Sequence, residues 1–398
     1  MRVAYLCADP GVPVFGAKGA SVHVQEIIRA WQARGAQVTL YCTRTGDLVP
    51  ADLTGVRVVR VPVDGGDPTL DKQQRTAVRE HHQARAASEL ADRVVADGAD
   101  IVYERYSLFS TALAEVTRRL GVPGILEVNA PLIEEQRDHR HLVDEPAAAQ
   151  ALQVQVAAAA SVCCVSQPVA DWVRRRAGIP AGDPRVVVTP NGVNTDRIGP
   201  VGPAGDGPAT VLFVGTLKPW HGVDVLLRAA ALATRPWRLR IVGDGPQAGA
   251  LDVQADRLGL HVDFRGAVAP ERVPAALAGA SVAVAPYPAL TGSDAQYFSP
   301  LKIYEYAAAA LPVVASQVGQ VPRIVRHGRT GLLVPPSDPC ALAAAVDTLV
   351  GDPQRAGVMG RAGRALMQAE HSWHAVLGRI VAPLEGSEAR AATRSQVA

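Results

Sequence analysis

Ser299-Pro300-Leu301-Lys302-Ile303-Tyr304-Glu305-Tyr306-Ala307-Ala308-Ala309-Ala310-Leu311-Pro312-Val313-Val314-Ala315 reads as a helix followed at once by a buried strand. Ser299 has the side chain of an N-cap, and Pro300 suits a first helical position, where its missing N–H leaves nothing unpaired. Ala307 to Ala310 favour the helix, and the β-branched run ending at Ala315 has no polar face, as a strand covered on both sides requires. A helix delivered directly into an apolar strand is half of a βαβ unit.

Working outward, the same alternation fills the chain. Short apolar runs at residues 3–8, 37–42, 56–61, 101–103, 124–128, 161–165 and 186–189 are separated by longer helical stretches. Residues 199–208 hold too much glycine and proline for either element and read as a linker. The alternation then restarts at 210–214, 239–242, 262–264, 281–285, 312–315 and 331–334, with helical patterns around 354–368 and 373–380. The expectation is an α/β protein of two doubly wound Rossmann-like domains, residues 1–198 and 209–370. A C-terminal helix at 371–384 packs back on the first domain, and a disordered tail covers 385–398. Open parallel sheets bind ligands at their carboxyl ends, so the site is expected in a cleft where the two domains face each other.

Composition narrows the class. Forty basic against 38 acidic residues give a net charge of +2, which offers no field for nucleic acid. Hydrophobic residues are 48% and charged residues 20%, enough for two cores. The apolar start meets Asp9 and Pro10 well short of a signal-peptide core or a membrane span, so the expectation is a cytoplasmic protein without a transmembrane segment, with peripheral membrane contact left open. The cysteines Cys7, Cys42, Cys163, Cys164 and Cys340 form no Cys-x-x-Cys pair and read as structural. His81 with His82, and His371 with His374, lack a third ligand, so no metal is expected.

The chemistry concentrates at the start of the 299–310 helix. Free N–H groups at Leu301 and Lys302 and the positive end of the helix dipole make an anion site, to which Lys302 adds a charge. Glu305 lies one turn on, beside a bound diphosphate and suited to ribose hydroxyls; the competing reading is a solvated Lys302–Glu305 pair.

This segment resembles the donor-binding motif of glycosyltransferase family 4, in a form that carries Ser-Pro-Leu-Lys before the glutamate. The resemblance extends to Gly16 and Gly19, Pro190-Asn191-Gly192-Val193, Val214-Gly215-Thr216-Leu217, Val242-Gly243-Asp244-Gly245-Pro246 and Phe264-Arg265-Gly266. It implies the GT-B fold, a UDP- or GDP-linked sugar donor, an unidentified hydroxyl acceptor, retention of anomeric configuration, and no cofactor or metal. By the same resemblance Glu305 holds the donor ribose, Ser299, Leu301 and Lys302 hold the diphosphate, and the strand end at Ala267-Val268 meets the base. Gly243 turns the chain beside the donor.

The chain departs from the family at several places. Tyr297 stands where a second glutamate touches the donor sugar, with Asp294 or the Tyr297 hydroxyl as substitutes. Thr216 and His221 stand where arginine and lysine usually grip the diphosphate, and Lys218 is expected to supply the charge. Asn129 stands where the family presents a histidine to the reacting sugar; it can hydrogen-bond but not shuttle a proton. The competing reading of Asn129 is a turn residue before Pro131.

Arg105 lines the acceptor side, with a Glu104–Arg105 surface salt bridge as the alternative. Residues 11–21 nearly spell a phosphate-binding P-loop but separate glycine from lysine, so Gly16 and Gly19 are read as close-approach positions and Ser21 as a helix cap. Residues 243–249 miss the dinucleotide fingerprint by one place and carry Pro246. Catalytic roles thus fall to Asn129, Lys218 and Lys302. The alternatives are a degenerate donor-binding subunit, motivated by Thr216, Tyr297 and Asn129, and a nucleotide-sugar epimerase of the same architecture.

Overall fold

The computed structural model describes residues 1–67, 69–202, 207–289 and 296–395, with side chains to residue 384. All thirteen strands expected from the apolar runs are present. In the first sheet they are β1 (Arg2–Cys7), β2 (Gln37–Cys42), β3 (Arg57–Arg60), β4 (Ile101–Arg105), β5 (Gly124–Val128), β6 (Ser161–Cys164) and β7 (Val186–Val188). In the second they are β8 (Ala209–Val214), β9 (Trp237–Val242), β10 (Val262–Phe264), β11 (Val282–Ala285), β12 (Val313–Ser316) and β13 (Gly331–Val334).

Every pairing is parallel, in the orders β3-β2-β1-β4-β5-β6-β7 and β10-β9-β8-β11-β12-β13. Each order reverses once, between β1 and β4 and between β8 and β11. Crossover helices leave the sheet on opposite sides at such a point, and a crevice opens at the strands' carboxyl ends. Strands covered by helices on both faces are the apolar ones: β11 and β12 are buried at every residue.

The chain divides into two units, Met1–Pro190 with Val376–Ala398, and Asn191–Ala375. The glycine- and proline-rich run at 199–208 is therefore not the junction. It follows a segment built into the second unit: Val193 and Ile198 lie in that unit's core, and Arg364 donates to the carbonyls of Thr195 and Ile198. Val201 N–H donates to the Ala309 carbonyl. Glycine and proline content marks irregular backbone, whereas a domain border is set by which core the flanking apolar residues join.

The last helix runs Trp373–Ser395, so the polar stretch from Glu385 continues as helix to Ser395 rather than as an unstructured tail. Its alanines, arginines and glutamate are good helix formers, and an existing helix extends residue by residue without a new nucleus. From Val376 this helix groups with the first unit, where Ser161 Oγ donates to the Ile380 carbonyl. Cys7, Cys42, Cys163 and Cys164 are buried and Cys340 is exposed; all are free thiols.

Candidate functional site

At the carboxyl ends of β8, β9 and β10 three glycine-bearing loops stack backbone on backbone. Gly215 N–H donates to the Val242 carbonyl, Leu217 N–H to Asp244, and Gly243 N–H to Gly266. Gly243 has φ +146°, and a Cβ there would lie 1.9 Å from the Gly215 carbonyl oxygen. Only glycine permits that approach. The loops leave a floor of backbone beneath which a side chain from another element reaches.

That side chain is Lys302, second residue of the helix Leu301–Ala308. It is 9% exposed, and its Nζ sits 4.2 Å from the Phe213 ring centre on β8 and 5.3 Å from that of Tyr287, just after β11. A Cβ on Gly215 would come within 2.8 Å of it. The ammonium therefore stands at the point where the second sheet reverses its order. It has no hydrogen-bond partner among the described residues. Burial pushes its pKa down to about 7, opposed by the Glu305 carboxylate one turn away. A buried ammonium with aromatic faces below and no acceptor is incompletely solvated, which is the condition a bound anion relieves.

The helix start differs from expectation by one residue. Pro300 is the capping position, with no side-chain cap, and Leu301 opens the helix. Ser299 does not cap: its hydroxyl accepts from the Asn191 N–H at 3.1 Å and meets the Tyr304 hydroxyl at 3.0 Å. Leu301 and Glu305 are half-buried along the same helix, and Tyr297 is half-buried before it. Asp294 lies outside the described residues.

In the loop after β8, Thr216 is exposed and its carbonyl accepts from His221 Nδ1, which fixes Nε2 as the ring's acceptor. Burial, then the charges of Lys302 and Lys218, lower the His221 pKa to about 4 against that hydrogen bond. The ring is neutral at physiological pH and cannot replace the expected cation. Lys218 is half-buried with its Nζ 4.7 Å over the Trp220 ring. Val268 is partly buried against the second core.

The first unit gathers a different set at the ends of β4 and β5. Glu127 Oε1 is 2.5 Å from His23 Nε2, and Oε2 is 3.8 Å from Arg105 Nη1; His23 and Glu127 are buried and Arg105 is partly so. Burial pushes the Glu127 carboxyl up, but His23 and the Arg105 guanidinium outweigh it and hold the group below the usual range. The Glu104–Arg105 surface pair is not formed. Glu104 is fully buried, accepting from Ser110 Oγ at 2.5 Å and the Leu113 N–H at 2.7 Å, and burial lifts it to about 7. Neighbours along a strand face opposite ways, so the two cannot pair.

Asn129 Nδ2 and Arg105 Nη1 are buried without hydrogen-bond partners. Gly16 is crowded by Pro13 and by Ser21, and its carbonyl accepts from Gln25 Nε2. Gly19 opens the helix Gly19–Ala33, so Ser21 lies inside that helix, fully buried, and does not cap it.

The sequence reading missed His23, Glu127, Phe213, Tyr287 and the role of Asn191. Glu127 was detectable as a carboxylate inside an apolar strand; the others needed the fold. Among the described residues no group of three or more His, Cys, Asp or Glu is arranged to hold a metal, and no helix is long and apolar enough to cross a membrane. A groove of about 820 Å³ on the first unit, lined by His82, Arg85, Phe109, Gln150 and Val154 among others, shares no residue with either strand-end cluster.

Two parallel Rossmann-like sheets give this chain the α/β architecture of GT-B transferases. The solved structure of Anabaena Alr3699/HepE in complex with UDP aligns over 97% of this chain and 100% of its own, with TM-score 0.69 and 18% identity. Sucrose-phosphate synthase from Thermosynechococcus elongatus aligns over 99% of both chains, with TM-score 0.69 and 21% identity. The model described as Glycosyltransferase Family 4 matches residues 17–197, and that described as Glycosyl transferases group 1 matches residues 208–352.

The D-inositol 3-phosphate glycosyltransferase of Acidothermus cellulolyticus is 30% identical over 389 residues, covering 88% of this chain and 80% of that protein. The GDP-mannose-dependent alpha-(1-6)-phosphatidylinositol monomannoside mannosyltransferase of Mycolicibacterium smegmatis is 35% identical over 220 residues, 51% of this chain and 57% of that relative's length. The chain thus spans little more than half of some relatives it matches. It belongs to glycosyltransferase family 4.

Proposed function

We propose that this chain transfers a sugar from a UDP- or GDP-linked donor to an acceptor hydroxyl, with retention of anomeric configuration. The observation that carries the reading is Lys302, an ammonium buried without a hydrogen-bond partner among the described residues, at the start of a helix and at the reversal point of the second sheet. Free N–H groups of the helix's first turn and the Lys302 charge converge where a diphosphate would sit. His221 is neutral, so Lys218 supplies the second charge and the His221 Nε2 remains an acceptor for a hydroxyl. Glu305, one turn along the same helix, suits the ribose. The backbone floor of Gly215, Gly243 and Gly266 lets the nucleotide lie close.

No metal is assigned a role. The developing charge on the leaving diphosphate is stabilised by fixed donors and cations, and that phosphate takes the proton of the attacking hydroxyl. In the first unit the Arg105–Glu127–His23 cluster, with the Asn129 amide, offers fixed polar groups to the acceptor. The choice of UDP or GDP is supported by relatives named for GDP-mannose and a neighbour solved with UDP. A cytoplasmic location is part of this reading.

The test is a thermal-shift panel of UDP, GDP and their sugars, followed by NMR of the anomeric proton in the product. A donor at 100 times its Kd adds about 2.7 kcal/mol of stability. An inverted product would refute the stereochemical part. Donor binding without turnover on any hydroxyl acceptor would favour the degenerate-subunit reading, which Thr216, Tyr297 and Asn129 motivate.

A further inference from the structure

The chain enters the second unit at Asn191 and leaves it at Ala375, and both ends are fastened to the approach of the helix Leu301–Ala308. Asn191 is 8% exposed and holds Ser299 twice. Its backbone N–H donates to Ser299 Oγ at 3.1 Å, and its side-chain Nδ2 donates to the Ser299 carbonyl at 3.0 Å. Ser299 Oγ meets the Tyr304 hydroxyl at 3.0 Å, and the Tyr304 ring lies 5.2 Å from that of His371. The His371 carbonyl accepts from the Val193 N–H at 2.8 Å, which closes the ring of contacts. Gly192 has no spare room within it: a Cβ would lie 2.9 Å from Trp373 and 3.0 Å from the His371 carbonyl oxygen.

These contacts settle something the helix cannot settle alone. Its capping position, Pro300, provides no side-chain hydrogen bond. The Ser299 hydroxyl, the obvious cap, is engaged elsewhere. The direction of the first-turn N–H groups is then fixed from outside, through the Ser299 carbonyl. We propose that Asn191 is a positioning residue of the donor site, holding Ser299 so that the Leu301 and Lys302 N–H groups and the Lys302 ammonium meet the diphosphate without rearrangement. The inference rests on the donor site proposed above, and Asn191 acts through Ser299 rather than by touching the donor.

The residue type is specific. The Asn191 amide is held by its donor side, since Oδ1 has no partner among the described residues. Aspartate has the same shape but sets an acceptor against the Ser299 carbonyl, and alanine leaves that carbonyl unpaired.

The experiment compares Asn191→Ala and the nearly isosteric Asn191→Asp in the full chain, using calorimetry with UDP and GDP and NMR competition with uridine and guanosine. The expected result is nucleoside diphosphate binding weakened about tenfold in both variants, the size of one lost hydrogen bond, with nucleoside binding unchanged. Asp347→Ala is the control for general destabilisation: Asp347 ties Thr234 and Trp237 and does not touch the helix. It should lower Tm without changing the ratio of diphosphate to nucleoside affinity. A normal ratio in either Asn191 variant overturns the inference. If Lys302→Met also leaves the ratio unchanged, the donor site itself is misplaced; if Lys302→Met alone changes it, only the role of Asn191 fails.

Discussion

Lys302 carries its charge where water has little access, and that makes the donor site sensitive to pH. Its pKa is lowered to about 7, and a bound diphosphate raises it again by favouring the ammonium. The protonated form is the binding form, so affinity is full below pH 7 and falls as pH rises, by up to about tenfold per unit until the amine is neutral in the complex as well. Calorimetry with UDP or GDP from pH 6 to 9 should show this fall in the wild type and a flatter profile in Lys302→Met; parallel profiles would contradict it. Glu305→Ala should weaken donor binding by ~1.5–3 kcal/mol, the range for a hydrogen bond to a charged group. Because Glu305 supports the Lys302 proton, the same variant should move the pH midpoint downward. Unchanged affinity and midpoint would remove Glu305 from the site.

At the scale of elements, the loops after β8 and β9 work as a stacked pair with no side chain between them. Gly243→Ala forces a Cβ against the Gly215 carbonyl, and either φ or the loop spacing must change. A loss on the order of 1–3 kcal/mol is expected from backbone strain and overpacking. Nucleoside diphosphate binding should fall with it, because Gly215 roofs the Lys302 ammonium. Differential scanning calorimetry and a binding isotherm would check both, and a variant with normal Tm and normal affinity would show that the stack does not shape the site.

At the scale of the molecule, the second unit is one continuous stretch, Asn191–Ala375, whereas the first is assembled from Met1–Pro190 and Val376–Ala398. The fragment 191–375 should therefore fold alone and bind UDP or GDP without transferring sugar. A fragment starting at residue 207 should be less stable, since it discards Val193 and Ile198 from the core and leaves the Arg364 guanidinium without the Thr195 and Ile198 carbonyls. The fragment 1–190 lacks the last helix, whose buried Val376, Leu377 and Ile380 group with the first unit, and should expose apolar surface. Circular dichroism and dye binding would test these. Nucleoside diphosphate binding by residues 1–190 and not by 191–375 would reverse the assignment of the donor to the second unit.

The alternation of apolar runs and helical stretches determined the class of fold, because parallel strands covered on both faces are largely apolar and their crossovers are helical. It also exposed Lys302 and Glu305, whose place in the first turns of a helix is a local matter. Three things awaited the tertiary structure. The partner of Ser299 lies more than a hundred residues away, so a residue that looks like a cap became part of a clamp. The pairing of Arg105 with Glu127 joins two neighbouring strands, which spacing along the chain does not encode. The lowered pKa values of His221 and Lys302 follow first from burial, a property of the assembled sheet and its loops rather than of any segment of the sequence.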